Sequence, residues 1–310
     1  MDIRVLRYFL AAAGAESLTE AAESLKITQP TLSRQIMELE EELGVQLYAR
    51  GCRCRKMCLT EDGRFLKEKA EEILALTQKT LDCFNRPEGI ISGSVSIGLE
   101  SSAGCDVLFE AASRLKKDCP AIEYSFDSLS MDRSAQEIQK GLLDFGLACK
   151  EPTGTDFKFL KLPVRDVWGL YLNRSLYEEV PESIAHEDLN QYDLILLRDS
   201  KGLSLLRTCM KGLEDLKPAA WCQSIYNALE LVYTGFGSFL GVKRAVPAAG
   251  EKIVFVPFEP ALEQPVYLVW KKTQSLSRAA RLFLQTVQGI LEESESSKEQ
   301  ETSDEKPQAE

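Results

Sequence analysis

The chain has 310 residues, 44% of them hydrophobic and 27% charged, and its formal net charge is −11. These values are ordinary for a soluble globular protein, and the length allows two or more domains. Its apolar runs are far too short for a membrane-spanning helix, so we expect no membrane partner.

The N-terminus and the cysteines bear on the compartment. Met1-Asp2-Ile3-Arg4 does not begin a charged segment followed by a long apolar core, so we predict no signal peptide and a cytoplasmic protein. The nine cysteines form no C-x-x-C pair and are expected to be reduced thiols, mostly in cores. His186 is the single histidine and lies in a polar connection, where we expect it to be exposed. With no nucleotide-binding loop and no G-x-S-x-G motif, the sequence predicts neither an enzyme nor a bound cofactor or metal.

The negative charge is unevenly distributed along the chain. Residues 292–310 carry eight acids and two bases and no aromatic residue, which predicts a disordered acidic tail. Residues 1–58 carry eight acids and eight bases, with Arg50, Arg53, Arg55 and Lys56 close together. Because such a basic patch suits phosphate binding, the acidic total does not exclude a DNA-binding protein.

The first sixty residues predict three short amphipathic helices. Apolar residues recur at helical spacing over Val5–Leu10 and again over Leu18–Leu25. A third helix is predicted where Thr28 can cap it and Pro30 fits its first turn, and Gly44 ends it. The second and third helices, joined by a tight turn, form a helix-turn-helix pattern.

The third helix is expected to expose a polar face. Side chains of this kind suit the major groove of DNA, since amides pair with adenine, arginine with guanine or phosphate, and hydroxyls with phosphate. The same composition also fits a helix face that is only solvated. The face consists of Gln29, Thr31, Ser33, Arg34 and Gln35.

A β-wing and a long helix are predicted next. Val45–Tyr48 and Leu59-Thr60 flank the basic residues 50–56 in a pattern suited to a small β-wing. Thr60 can cap a helix with acids in its first turn. Small and apolar residues then form a narrow seam of the kind that pairs with another helix, until Pro87–Gly89 ends it. The seam consists of Leu66, Ala70, Ile73, Thr77, Leu81 and Phe84.

From residue 90 strands alternate with helices, which predicts mainly parallel sheets with helices on both faces. Strands are expected at Val95–Leu99, Ile122–Phe126, Leu143–Ala148, Val167–Leu172, Leu194–Leu197, Phe239–Val242, Ile253–Val256 and Val266–Trp270. Helices are expected near 104–117, 131–141, 203–214, 225–234 and 277–291.

This alternation predicts two α/β lobes with a ligand cleft between them. Ligands of open α/β sheets bind at the carboxyl ends of strands, where helix N-termini offer free N–H groups. Each serine in these loops fits equally well as a helix N-cap, and Arg198 is the candidate for holding a carboxylate. The candidate effector contacts are Ser101, Ser102, Ser130, Met131, Arg198, Ser200 and Ser224.

The helix-turn-helix pattern extends into a long resemblance. Residues 3–60 are similar to the winged helix-turn-helix of the LysR-type transcriptional regulators, and the downstream pattern is similar to that family up to about residue 291. The matching residues are Leu6, Phe9, Ala21-Ala22, Leu25, Gln29-Pro30, Leu32-Ser33-Arg34-Gln35-Ile36, Leu39-Glu40, Leu43-Gly44, Leu47, Arg50, Leu59-Thr60 and Gly63.

The resemblance implies an α/β fold with an N-terminal all-α winged helix-turn-helix and a two-lobed effector domain like periplasmic solute-binding proteins. It implies that the polar face of the third helix reads promoter DNA and that Arg50, Arg53 and Arg55 contact phosphates. A homodimer or homotetramer would change its DNA geometry when a small-molecule effector binds. Met131 stands where relatives often have Ser or Thr, which indicates a less polar pocket.

The expected boundaries follow from these patterns: the DNA-binding domain at 1–60, the dimerisation helix at 61–87, and the acidic tail at 292–310. The first effector lobe is expected at 88–161 and 266–291, and the second at 162–265.

A thiol- or metal-responsive regulator of the same architecture is the alternative. The wing contains Cys52, Cys54 and Cys58 among cations, and the second lobe contains Cys209 and Cys222. The simpler interpretation is that these cysteines are ordinary reduced thiols without a sensing role. No fourth metal ligand lies near the wing, and the second-lobe pair does not match the cysteine spacing of the family's peroxide sensors.

Overall fold

The computed structural model describes residues 1–49, 58–84, 91–100, 102–153, 155–198, 217–244 and 252–304. It divides into two compact units, Met1–Asn85 and Arg86–Glu310. Several predicted features lie outside the described residues: Arg50, Arg53, Arg55, Cys52, Cys54, Ser101, Ser200, Cys209, the helix near 203–214 and the end of the long helix at 87–89.

The first unit contains four helices, α1 (Ile3–Gly14), α2 (Leu18–Ser24), α3 (Gln29–Leu43) and α4 (Glu61–Phe84). The predicted caps are confirmed. Thr28 accepts a hydrogen bond from the Thr31 N–H, and Thr60 accepts one from the Gly63 N–H at 2.9 Å. Gly44 ends α3 with φ of 70°, a left-handed conformation that glycine adopts without steric cost.

Tyr48 joins the two hydrophobic clusters of this unit. One cluster surrounds Phe9, Leu39 and Leu47, and the other surrounds Ala22 and Leu32, with Tyr48 packed against both. Its hydroxyl donates to the Phe9 carbonyl at 3.1 Å, and burial raises the pKa of Tyr48. Tyr48 also pairs with Leu59 in an antiparallel bridge, which confirms the base of the predicted wing.

The predicted seam of α4 divides into two parts. Leu66 and Ala70 are buried and Ile73 packs beside them in the core of the first unit, where α4 packs against α1, so this half of the predicted seam pairs with a helix of the same chain. This half of the helix buries its apolar stripe against its own unit, which spacing alone cannot distinguish from a coiled-coil seam. Leu81 and Phe84 are 44% and 80% exposed and remain available to a partner.

The second unit alternates strands and helices. Its first part contains β1 (Gly93–Leu99), α5 (Gly104–Asp118), β2 (Ile122–Ser128), α6 (Met131–Lys140) and β3 (Phe145–Ala148). It continues with β4 (Phe157–Asn173), β5 (Ile184–Ala185), β6 (Leu194–Leu197), β7 (Ala220–Cys222), α7 (Ile225–Thr234), β8 (Ser238–Val242), β9 (Ile253–Glu259), β10 (Glu263–Lys271) and α8 (Arg278–Asp304). The predicted strands are confirmed, but the sequence placed the start of β4 ten residues too late and missed β5 and β7.

The sheet runs in the order β2-β1-β3-β10-β4-β8-β6-β7, with β9 paired to β4 and β5. Within each lobe the pairs β1 with β2 and β3, and β6 with β7 and β8, are parallel. At the centre β10 is antiparallel to β3 and β4, and β4 is antiparallel to β8 and β9. The prediction of mainly parallel sheets is therefore wrong at the junction. The chain leaves the first lobe along β4 and returns along β10, so the two strands must run in opposite directions.

Each lobe has its own core. In the first, Ile97 and Phe145 of the sheet pack with Leu108 of α5 and Phe283 of α8. In the second, Leu170, Leu194 and Phe258 occupy one face of the sheet, while Ala228 and Val232 of α7 pack on the other. Strand β4 contributes Leu162 to the first core and Trp168 to the second, so it passes between the lobes over these few residues.

Helix α8 continues to Asp304, so the prediction of disorder is wrong for residues 292–304. Glu, Gln, Lys and Ser cost little to add to a helix that is already nucleated by a buried face. Arg114 also donates to both carboxylate oxygens of Glu293, at 2.8 and 2.9 Å. Within the described part of the chain, no helix has the length and apolar character needed to cross a membrane.

Candidate functional site

The polar face of α3 lies at the start of the helix. Gln29, Thr31 and Arg34 are exposed, and Ser33 and Gln35 are half-buried. The Thr28 and Thr31 hydroxyls are hydrogen-bonded at 2.8 Å, which orders the first turn. The structure therefore brings all five predicted DNA-reading residues onto one turn and a half of helix.

Glu38 holds two of these residues in the free protein. Arg34 Nε donates to Glu38 Oε1 at 2.8 Å, and Gln35 Nε2 donates to Glu38 Oε2 at 2.7 Å. The ion pair is exposed, and exposed pairs contribute only about 0–1 kcal/mol. Arg34 and Gln35 can therefore leave Glu38 and bind a phosphate or a base edge at a low cost in free energy.

A pocket with a cavity volume of about 50 Å³ lies between the two lobes of the second unit and is partly open to solvent. We call it the inner pocket. Its described lining from the first lobe and its connecting strands is Glu100, Ser102, Met131, Leu147, Ala148, Cys149, Asp166 and Gln264. The second lobe contributes Trp168, Leu197, Phe239, Leu240, Gly241 and Val242.

The N-terminus of α5 was expected to offer free N–H groups to an effector, and that expectation is wrong. Asp166 Oδ1 accepts from the Ala103 N–H at 2.7 Å and from the Ser102 hydroxyl at 3.0 Å. Ser102 in turn accepts from the Gly104 N–H at 3.1 Å, so its hydroxyl is committed within the protein. Burial raises the pKa of Asp166, against the opposing effect of these hydrogen bonds and of Arg244.

A carboxylate of the protein also binds the N-terminus of α6. The Met131 N–H donates to Glu100 Oε2 at 3.3 Å, and Ser130 makes no side-chain cap in α6. Met131 is half-buried, and its sulfur accepts a hydrogen bond from the Cys149 N–H at 3.1 Å. The thioether thus replaces a hydroxyl with an apolar wall, in line with the less polar pocket expected at this position.

A second, wider pocket with a cavity volume of about 460 Å³ lies beside the inner pocket and shares Glu100 and Leu197 with it. Ser130, Arg133 and Ser224 line it. Ser224 caps α7 by accepting from the Tyr226 N–H at 3.2 Å, which is the N-cap alternative for this serine. The predicted effector residues are therefore divided between two pockets.

Arg198 follows Leu197 with an exposed side chain, while its backbone N–H donates to the Cys222 carbonyl at 2.8 Å. It is not among the described residues that line either pocket. The sequence missed Asp166, Trp168 and Gln264. The available signal for Asp166 was a carboxylate directly before the apolar second half of β4, but the strand was predicted to start at Val167.

The described thiols of the second unit are buried or half-buried. Burial raises the pKa of Cys149, which lines the inner pocket, and nearby Glu100 raises it further. Burial also raises the pKa of Cys105, and Cys222 is buried. A raised pKa disfavours the thiolate, which is the reactive form. Among the described residues no group of His, Cys, Asp and Glu could hold a metal ion.

His186 is half-buried rather than exposed. Its ring lies edge-on to Phe258, with centroids 5.3 Å apart, because the short 3₁₀ helix that contains it packs against β9.

A helix-turn-helix unit followed by a two-lobed α/β unit with an interlobe pocket defines a class of bacterial DNA-binding regulators. The model of the bacterial regulatory helix-turn-helix proteins of the lysR family matches residues 3–64, and the LysR substrate-binding domain matches residues 89–291. The chain belongs to the LysR family of transcriptional regulators.

Two relatives extend over nearly the whole chain. The HTH-type transcriptional regulator BsdA of Bacillus subtilis is 26% identical over 293 residues, covering 92% of this chain and 99% of that protein. A hydrogen peroxide-inducible genes activator of Pectobacterium carotovorum is 26% identical over 307 residues, covering 94% of this chain and 99% of that protein. The crystal structure of full-length CbnR complexed with its target DNA has the same fold, with a TM-score of 0.73, 21% identity, and coverage of 93% of this chain and 99% of that one.

Proposed function

We propose that this regulator reads promoter DNA with the start of α3 and senses a small-molecule effector between the lobes of its second unit. The readers are Gln29, Thr31, Ser33, Arg34 and Gln35, with Arg50, Arg53 and Arg55 of the wing on the phosphates. The protein acts as a homodimer or homotetramer, and effector binding shifts the population of lobe arrangements and hence the geometry of the paired DNA-binding domains.

The observation that carries the DNA-reading half is the polar first turn and a half of α3. A row of amide, hydroxyl and guanidinium groups stands there on a helix whose opposite face is anchored by Leu32, Ile36 and Leu39. Recognition helices insert their N-terminal residues into the major groove. The cap at Thr28 and the turn at Gly44 hold this helix at both ends, so its side chains are presented from a rigid element.

Arg34→Ala tests this assignment. DNA selected from a random pool by the wild-type protein serves as the specific site. We expect binding to that DNA to weaken about tenfold to a hundredfold, as for the loss of one base or phosphate contact, with effector binding unchanged. The matched control is Arg7→Ala, which removes one exposed cation from α1 and should weaken specific and random DNA alike. Unchanged footprints for Arg34→Ala would remove it from the interface.

Arg198→Ala tests the effector half. Its exposed guanidinium adjoins Leu197, which lines both pockets. If it guides or holds the effector, the variant loses the effector response in a reporter assay and keeps DNA affinity without ligand. A retained response would exclude Arg198 from the site.

The second candidate is a thiol-responsive regulator, favoured by the relative that activates hydrogen peroxide-inducible genes. The raised pKa of Cys149 and the burial of Cys222 argue against it. Mass spectrometry after stoichiometric peroxide distinguishes the two: the thiol mechanism requires fast oxidation of one cysteine and a changed footprint, whereas effector sensing leaves the footprint unchanged.

A further inference from the structure

The three described helix N-termini at the interlobe cleft are each occupied by a side chain of the protein. The start of α5 is occupied by Asp166, and the start of α6 by Glu100. The start of α7 is capped by its own Ser224. These are the positions at which an anionic ligand would gain most from helix dipoles and free N–H groups.

The charge on the inner pocket is also unfavourable for an anion. Its described lining contains the carboxyl groups of Glu100 and Asp166 and no lysine, arginine or histidine. A ligand carboxylate would be repelled by these two carboxyl groups in a partly desolvated site, where the repulsion is poorly screened. Arg244, the cation that acts on Asp166, is already paired with Asp106 at 3.4 Å. Both carboxyl groups are already hydrogen-bonded within the protein, so neither calls for a cationic ligand.

Two hydrogen-bond donors of the same pocket have no partner. Trp168 is 6% exposed and its Nε1–H is unbonded, and Gln264 is 5% exposed with an unbonded Nε2. Both side chains line the inner pocket, one from each side of the junction between the lobes. Buried donors are rarely left unpaired, and a tryptophan can only donate. Acceptor atoms of a ligand in the inner pocket would satisfy both donors.

The remaining wall is apolar. Met131 and Leu147 of the first lobe lie opposite Phe239 and Leu240 of the second. A lining of this kind buries a ring or a short hydrocarbon, while a few fixed polar groups determine its orientation.

We propose that the inner pocket binds an uncharged effector with an apolar body and hydrogen-bond acceptor atoms, such as an aromatic amide or ester, and rejects the corresponding carboxylate. This inference rests on the proposed effector function and specifies its ligand. Trp168 and Gln264 donate to the acceptor atoms, and the internal carboxyl groups at α5 and α6 exclude an anion.

Three probes with one ring and different charge test this on the full chain: benzamide, benzoate and benzylamine at pH 7.5. Binding is measured by ligand-observed NMR and by the shift in Tm. We expect benzamide to bind and benzoate to bind at least tenfold more weakly. Asp166→Asn removes one internal charge and should strengthen benzoate binding relative to benzamide.

Matched variants identify the donors. Trp168→Phe should weaken benzamide binding about fivefold, which corresponds to the loss of one hydrogen bond, and Gln264→Met should weaken it equally. Trp221→Phe makes the same change at an exposed tryptophan outside the described lining and should have no effect. Ala148→Phe fills the pocket and should abolish binding of every probe.

The outcomes separate the ligand class from the proposed function. Benzoate could bind as tightly as benzamide, or benzylamine could bind more tightly. If Ala148→Phe abolishes that binding, the result would contradict the proposal of an uncharged ligand and retain the inner pocket as the effector site. Binding of benzamide that Trp168→Phe and Gln264→Met leave unchanged would also overturn the donor assignment. Absence of binding by all three probes, or binding that Ala148→Phe does not affect, would overturn both the ligand class and sensing in this pocket.

Discussion

At the scale of single residues, the proposed DNA-reading face of α3 contains an acid that competes with DNA for two of its side chains. Glu38 binds Arg34 and Gln35 through both carboxylate oxygens, where DNA would present phosphate oxygens and base edges. A carboxylate on a DNA-facing helix also repels the phosphate backbone. If Arg34 and Gln35 read DNA as proposed, Glu38 orders them in the free protein and lowers the affinity for DNA.

Glu38→Gln should raise the affinity for DNA about twofold to threefold, because it weakens an exposed pair worth about 0.5 kcal/mol and removes one negative charge. Glu41→Gln, an exposed acid later on α3, is the matched control for charge. Fluorescence anisotropy at two salt concentrations measures both variants. Equal effects of the two would show that only net charge matters and that Glu38 does not restrain the readers.

The raised pKa of Asp166 leads us to expect that the stability of the protein depends on pH. Because burial raises the pKa of its native carboxyl above that of the unfolded chain, the native state binds this proton more tightly. The resulting stabilisation is fully present below the unfolded pKa of about 3.9 and is lost as the pH rises through the native pKa. The free energy of unfolding of the wild type, relative to Asp166→Asn, should therefore fall with rising pH across that window. Urea unfolding at several pH values measures it, and a difference independent of pH would contradict the assignment.

At the scale of elements, α4 approaches the turn after α3 closely enough to require a glycine. A Cβ on Gly63 would overlap the Leu47 carbonyl oxygen and touch the Leu59 side chain. The first turn of α4 is also held by Thr60, which donates to the Gln46 carbonyl at 2.6 Å. This close approach joins the long helix to the base of the wing.

Gly63→Ala should destabilise the first unit by about 1–3 kcal/mol, although alanine favours a helix over glycine, because the backbone must move apart. Gly14→Ala is the control, since nothing lies within 4 Å of its added Cβ at the end of α1. It should be neutral or stabilise by up to about 1 kcal/mol. Thermal unfolding compares them, and similar Tm values for the two variants would refute the close approach.

Element boundaries were predictable where the signal is local. Thr28, Pro30 and Gly44 define α3 within a few residues of its ends, and the same local chemistry predicted the start of α4. The extent of β4 was not predictable, because Lys158, Lys161 and Arg165 interrupt its apolar pattern. Its pairing with β10 over most of its first half compensates for that weak pattern.

At the scale of the whole molecule, the packing of α4 determines which of its apolar residues are exposed to a partner chain. Its first half is buried in the first unit, and exposed apolar side chains follow at Leu76, Leu81 and Phe84. Large exposed apolar residues on one helix are typical of a protein–protein interface. Only the second half of the predicted seam is therefore available to a partner chain.

Leu81→Glu combined with Phe84→Glu should raise the dissociation constant of the oligomer at least tenfold, because two charges would enter an apolar interface. Ala75→Glu introduces one charge at an exposed position of the same helix and serves as the control. Sedimentation velocity over a concentration series measures association. Unchanged association of the double variant would locate the interface elsewhere.

The sequence alone determined the helix-turn-helix, its polar face and the two-lobed α/β architecture, because these depend on caps, periodicity and side chains a few residues apart. The less polar wall at Met131, the first residue of α6, was expected only through the family resemblance, because relatives often have Ser or Thr there. The occupant of the α5 N-terminus was not predictable, since Asp166 reaches Ala103 from 63 residues further along the chain. The pairing of Trp168 with Gln264 in one pocket likewise depends on β4 and β10 lying side by side. Such groups meet only when the sheet forms across both lobes, and no local pattern records which distant carboxylate or donor will be buried there.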